Sequence, residues 1–157
     1  MNKLIALLIC VLVSSPLTAQ QSLTAEAQRN VNISRKMVDD QRNTQIVMNM
    51  HFTKEEKEKF WPVYREYRKA MAEVGDKRLA VIVEYANNVD RMTDPLAKKL
   101  LDRTFGVDKE FIRTKEKYVK KFRQFLPDIK VVRLMQLENR VDIAVDMKVA
   151  EGIPLMK

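Results

Sequence analysis

An all-α fold follows from three observations. Only three Gly and five Pro occur among the 157 residues, so turns are few and elements long. Apolar residues recur at three- and four-residue spacing through residues 53–88 and again through 94–125, which is the period of one helix face. No stretch alternates apolar and polar residues in the manner of a half-buried strand. The expected architecture is a long antiparallel helical hairpin flanked by shorter helices.

The chain opens on "MNKLIALLICVLVSSPLTAQ". Lys3 gives a positive start, Leu4 to Val13 is apolar, and Leu17-Thr18-Ala19 offers a small residue at a cleavage point. These are the parts of a secretory signal peptide, and the apolar run is too short to span a bilayer. Residues 1–19 are therefore read as a signal peptide cut after Ala19. Cys10, the only cysteine, lies inside it, preceded by Ile9 rather than the small residue a lipoprotein signal wants. The mature chain then has no thiol chemistry, disulfide or cysteine-based metal site. Export without disulfides fits the periplasm of a Gram-negative bacterium.

Residues 20–45 are a polar lead, partly helical, and residues 46–157 are the helical domain. Thr53-Lys54-Glu55-Glu56 spells a capping box and starts a helix running to about Asn88. Phe60, Val63, Tyr64, Tyr67, Met71, Val74, Val81, Ile82, Tyr85 and Val89 share one face of it. Pro62 falls inside this helix and predicts a kink. Thr93 and Pro95 open the next helix as N-cap and first-turn proline. Its apolar face is Leu96, Leu100, Leu101, Val107, Phe111, Ile112, Tyr118, Val119, Phe122 and Phe125. Pro127 breaks the pattern. A last helix, Asp128 to Ala150, turns Val131, Leu134, Leu137, Val141 and Val145 inward and ends before Gly152 and Pro154.

The formal net charge of +8 becomes +7 once Lys3 is removed with the signal. Outside the cytoplasm such a charge meets anionic lipid, lipopolysaccharide or acidic protein before nucleic acid, so location argues against nucleic-acid binding. His51 is the only histidine and has no cysteine beside it. A structural or catalytic zinc wants three or four ligands, so His51 is read as a turn residue and no metal or cofactor is expected. No second base accompanies it for nucleophilic catalysis, and no Gly-rich phosphate loop is present. The expectation is a protein that is not an enzyme.

Two side chains interrupt the apolar rows. Arg78 falls mid-stripe on the second helix and Glu138 mid-stripe on the last, between Leu134 and Val141. A lone buried charge is strongly unfavourable. The two are therefore expected to approach each other as a buried structural ion pair, or each to meet a partner such as Lys115 or Asp108. The single Trp61 points about 100° from Phe60 and, with Arg65 and Arg68, forms a candidate partner-binding patch. On the third helix Lys109, Arg113, Lys117, Lys120 and Lys121 exceed the acids around them. They form a candidate docking face for acidic proteins or an anionic membrane surface, sensitive to salt.

Three segments carry a family resemblance. They are Phe52-Thr53-Lys54-Glu55-Glu56 followed by Phe60-Trp61-Pro62-Val63-Tyr64; Met92-Thr93-Asp94-Pro95-Leu96; and Leu126-Pro127-Asp128 followed by Gln136-Leu137-Glu138-Asn139-Arg140. Across residues 46–155 the chain resembles the periplasmic LTxxQ-motif family, the group containing the chaperone Spy and the stress regulator CpxP, in its branch with "FWPVY" and "QxEN" elements. Phe52 and Met92 stand where that motif has Leu, and Glu56 where it has Gln. The helix-start role of the motif is what carries over. The resemblance implies a curved helical subunit, a homodimer forming a cradle, and client binding on its concave face. Two functional expectations result. One is an ATP-independent chaperone or envelope-stress adaptor that binds proteins. The other is an envelope-associated structural protein docking anionic lipid or lipopolysaccharide through its basic helix.

Overall fold

The structure is a computed structural model that describes the backbone of residues 15–153 and 155, with side chains described from Arg29 onward. The signal peptide expected over residues 1–19, with Cys10, lies outside the described residues except for 15–19, whose backbone is helical. The molecule is all-α: among the described residues about 87% are helical and no strand occurs. Among the described residues four helices follow in order, α1 Ser15–Asn49, α2 Lys54–Ala86, α3 Asp94–Phe122 and α4 Asp128–Glu151, with one 3₁₀ turn, Val89–Arg91, between α2 and α3. No helix among the described residues is long and apolar enough to cross a membrane.

Two compact units divide at Thr44 and Gln45. In the first, α1 is a polar helix with Ile33 and Met37 exposed, and the Thr44 hydroxyl donates to the Asp40 carbonyl at 2.9 Å. The second unit holds the core. It begins with the last turn of α1, where Ile46 and Met50 are buried.

The chain then turns at His51, which takes a left-handed φ of 45°, a conformation few non-glycine residues adopt. Its carbonyl accepts from Lys130 Nζ at 3.1 Å. Thr53 caps α2 as its sequence dictates. Its hydroxyl accepts from the Glu56 amide at 3.2 Å, and a Glu56 carboxylate oxygen accepts from the Thr53 amide at 2.8 Å. Thr93, by contrast, makes no side-chain cap bond; Pro95 in the first turn, with its preset φ, starts α3 instead. α2 continues through Pro62, which is exposed, so the missing N–H lies on the side where water can serve the orphaned carbonyl.

Glu56 joins the cap to the tertiary structure, because it also accepts from Lys130 of α4. That bond first, and the Thr53 amide second, hold its carboxyl below the ordinary 4.5. A depressed carboxylate contributes stability that is complete above the unfolded pKa and is lost as pH falls through the folded one. Glu56→Gln keeps a capping-box residue but removes the charge. Wild type is therefore expected to exceed Glu56→Gln in stability at neutral pH, with the gap closing below about pH 4.5 in acid titrations of urea unfolding. A gap independent of pH would contradict this account.

On α2 the buried residues are Phe60, Tyr64, Tyr67, Met71, Val74 and Val81. Leu100, Val107, Tyr118 and Phe122 of α3 and Val131, Leu134, Leu137 and Val141 of α4 are buried as well, and Phe60, Tyr64, Tyr67 and Met71 pack in one cluster with Tyr118, Phe122, Val131, Leu134 and Leu137. Aromatic rings fill the proximal end: Phe60 stacks on Tyr64 at 5.1 Å and on Phe122 at 5.7 Å, and Tyr67 tilts against Tyr118 at 5.5 Å. α2 and α3 run antiparallel, shown by Glu66 with Lys121 at 2.7 Å, Lys77 with Glu110 at 2.5 Å, and Glu84 with Lys99 and Arg103. These exposed pairs are screened by water and mark register more than they stabilise. α4 runs parallel to α2, since Lys130, Glu138 and Asp146 meet Glu56, Arg68 and Arg78 in rising order.

Two expectations are corrected. Arg78 and Glu138 do not pair with each other; each meets a partner of its own, as the alternative expectation had it, but neither partner is Lys115 or Asp108. Glu138 is buried, 1% exposed, and accepts from the Tyr64 hydroxyl at 2.5 Å and from Arg68 at 3.2 Å. Arg78 pairs with Asp146 at 2.6 Å, its side chain 42% exposed. Asp146, about two turns beyond Glu138 on α4, stands at the height of Arg78, so Arg78 finds its partner there and not at Glu138. Likewise Leu101 and Ile112, placed on the apolar face of α3, are 54% and 59% exposed, because the neighbouring helices cover a narrower arc of α3 than its apolar residues occupy.

Candidate functional site

The structure separates the sequence-predicted site residues into three groups. Trp61 is half-buried, packing edge-on against Phe60 at 5.2 Å and Tyr64 at 5.8 Å. Arg68 is turned inward to Glu138, with its guanidinium carbon 6.0 Å from the Tyr67 ring centre. Of that patch only Arg65 is fully exposed. Trp61, Arg65 and Arg68 share one face of α2, whereas the α2 side chains ion-paired with α3 are Glu66, Lys77 and Glu84. Glu66 lies 100° around the helix from Arg65, so the aromatic patch and the basic helix are not merged into one surface.

The second group is the basic row of α3. Lys109, Arg113, Lys117 and Lys120 are exposed, and none of the four forms an ion pair with a described residue. Lys117 Nζ lies 5.6 Å from the centre of the Tyr118 ring. Lys121 differs. It is held by Glu66 and sits 4.8 Å from the same ring, and the Glu66 carboxylate raises its pKa above the ordinary 10.5. Lys121 is thus part of the α2–α3 register. Glu110 and Glu116 are the acids among the row, and Glu110 is paired with Lys77.

Sequence reading missed Phe105. It stands one turn before Lys109, 53% exposed, with Ile112 at 59% one further turn along the same side. An aromatic at i and an aliphatic at i+7 inside a charged stretch was the available signal. Together they give α3 a mixed face, cations on one strip and large apolar side chains on the next.

The third group is polar and internal. Tyr64, Arg68 and Glu138 tie α2 to α4, and Lys115 pairs with Asp142 at 2.8 Å, both partly buried, tying α3 to α4. These bonds are satisfied within the chain and position helices.

A cleft of about 360 Å³ opens where α2 ends and α3 begins, lined by Val81, Leu100, Val107 and Ile153 among others, with Arg78 and Asp108 on its walls. Nothing in the periodicity distinguishes it from core; the charge of Arg78 within an apolar row was its one trace in the sequence.

No protein-family model matches the chain, and neither a curated protein nor a solved structure does.

Proposed function

We propose that the protein is an exported, non-enzymatic binder of other proteins, acting as an ATP-independent chaperone or envelope-stress adaptor of the Spy/CpxP kind. The observation that carries the reading is the mixed face of α3: exposed Phe105 and Ile112 beside the four cations Lys109, Arg113, Lys117 and Lys120. Unfolded acidic segments present carboxylates and apolar side chains together, and such a face offers both complements without a shaped pocket. Docking to anionic lipid headgroups is the second reading, favoured by the same row of cations.

The two readings part in one experiment. Residues 20–157 should suppress aggregation of an acidic, thermally unfolding client, and reversal of the four cations to Glu should abolish suppression while leaving the melting temperature within a few degrees. Suppression should also weaken as salt rises from 0.1 to 0.5 M, since exposed charges are screened beyond about 10 Å at 0.1 M. Cosedimentation with anionic vesicles without any suppression of aggregation would select the lipid reading. Suppression that survives the four reversals would take client binding away from this face of α3.

A further inference from the structure

The cleft at the distal end of the α2–α3 pair has the dimensions and chemistry of a small-ligand site. Its volume, about 360 Å³, falls in the range of pockets that enclose small molecules, roughly 300–1,000 Å³. It exceeds twice the roughly 150 Å³ that suffices for benzene in an engineered apolar cavity. Val81, Leu100 and Val107 form its floor and are 4–7% exposed, while Ile153, just past α4, walls one side. Water against such a surface is released at a gain when an apolar body replaces it.

The charged groups of the wall decide what head the ligand carries. Arg78 is already engaged by Asp146 at 2.6 Å. The Thr104 hydroxyl donates to the Leu100 carbonyl of its own helix at 2.9 Å. Asp108 is exposed and forms no ion pair with a described residue. The charge left to spend at the cleft is therefore negative, in a chain that is otherwise basic.

We propose that this cleft binds a small molecule with an apolar body and a protonated amine head, the body against Val81, Leu100, Val107 and Ile153 and the amine on Asp108. The cleft shares no residue with the cation row of α3, so this site and client binding stand or fall separately.

Three eight-carbon probes that differ only in the head test it: octylammonium, 1-octanol and octanoate, titrated calorimetrically into residues 20–157. Octylammonium should bind saturably and about fivefold more tightly than 1-octanol, the upper end for a solvent-exposed ion pair, with octanoate weakest. Asp108→Asn should bring octylammonium to the level of 1-octanol without shifting the melting temperature. Ala97→Trp, which fills the cleft, should abolish binding of all three, and Thr104→Trp, about two turns further along the same face of α3, repeats the test should the first substitution alter the circular dichroism spectrum. The proposal is overturned by absence of saturable binding, by octanoate or 1-octanol binding as tightly as octylammonium, by an ammonium preference that survives Asp108→Asn, or by binding that persists in both filled variants.

Discussion

Phe122→Ala should destabilise the second unit by about 4 kcal/mol, the middle of the range for removing a buried Phe. Phe122 is fully buried, and its ring meets Phe60 at 5.7 Å, Tyr67 at 6.0 Å and Phe125 at 6.2 Å. Truncation removes the transfer energy of the ring and leaves a void between helices that are already fixed against each other by Tyr64, Tyr67 and Tyr118. Such a void collapses poorly, because large rigid rings have few alternative rotamers. Ile112→Ala is the matched control. Ile112 belongs to the same helix and the same sequence-level apolar stripe, yet is 59% exposed, and its truncation should change stability by less than about 0.5 kcal/mol. Urea unfolding followed by far-ultraviolet circular dichroism measures both through the midpoint at constant slope. Equal effects of the two substitutions would mean that the α3 face is covered differently from the arrangement described.

The contrast between Phe122 and Ile112 marks how far a sequence carries. Local chemistry was legible: Thr53 and Glu56 form their capping box, Pro127 separates α3 from α4, and the rows Phe60-Tyr67-Val74-Val81 and Tyr64-Met71 are buried where a helical period puts them. Periodicity states which face of a helix is apolar. It does not state how wide a strip the neighbours cover, or how far along the axis the covering runs. Arg78 shows the second omission. It continues the row of Tyr64 and Met71 at seven-residue spacing, but at that height the row lines the cleft and the side chain is 42% exposed. Leu101 and Ile112 show the first. The partner of Glu138 was hidden for another reason. Its burial follows from its place between Leu134 and Val141, whereas Arg68 and Tyr64 reach it from 70 and 74 residues away, and only the relative height of α2 and α4 selects them over Arg78.

That selection makes Glu138 the site of the second large effect. Glu138→Ala should cost about 3 kcal/mol. A buried pair broken on one side typically loses 3–5 kcal/mol because the remaining charge stays desolvated. Here the Arg68 side chain is 21% exposed and can turn toward water, which places the expected value at the lower end. The Tyr64 hydroxyl has less freedom: Tyr64 is 2% exposed, and the substitution removes the charged acceptor 2.5 Å away, a kind of hydrogen bond worth about 1.5–3 kcal/mol. Arg68→Ala should cost a similar amount by the reverse route, since it removes a cation 3.2 Å from a carboxylate that is 1% exposed. If the two groups form one structural unit, Arg68→Ala combined with Glu138→Ala will be less harmful than the sum of the single changes by about 1–2 kcal/mol. Replacing both with Leu should recover part of the loss, as apolar packing often replaces a buried pair without penalty. Arg78→Ala supplies the discriminating control. It removes an exposed pair with Asp146 and should change stability by less than about 1 kcal/mol, adding independently to Glu138→Ala. Additive behaviour of Arg68 with Glu138, together with coupling of Arg78 to Glu138, would reverse the pairing described and restore the one that the helical period alone suggests.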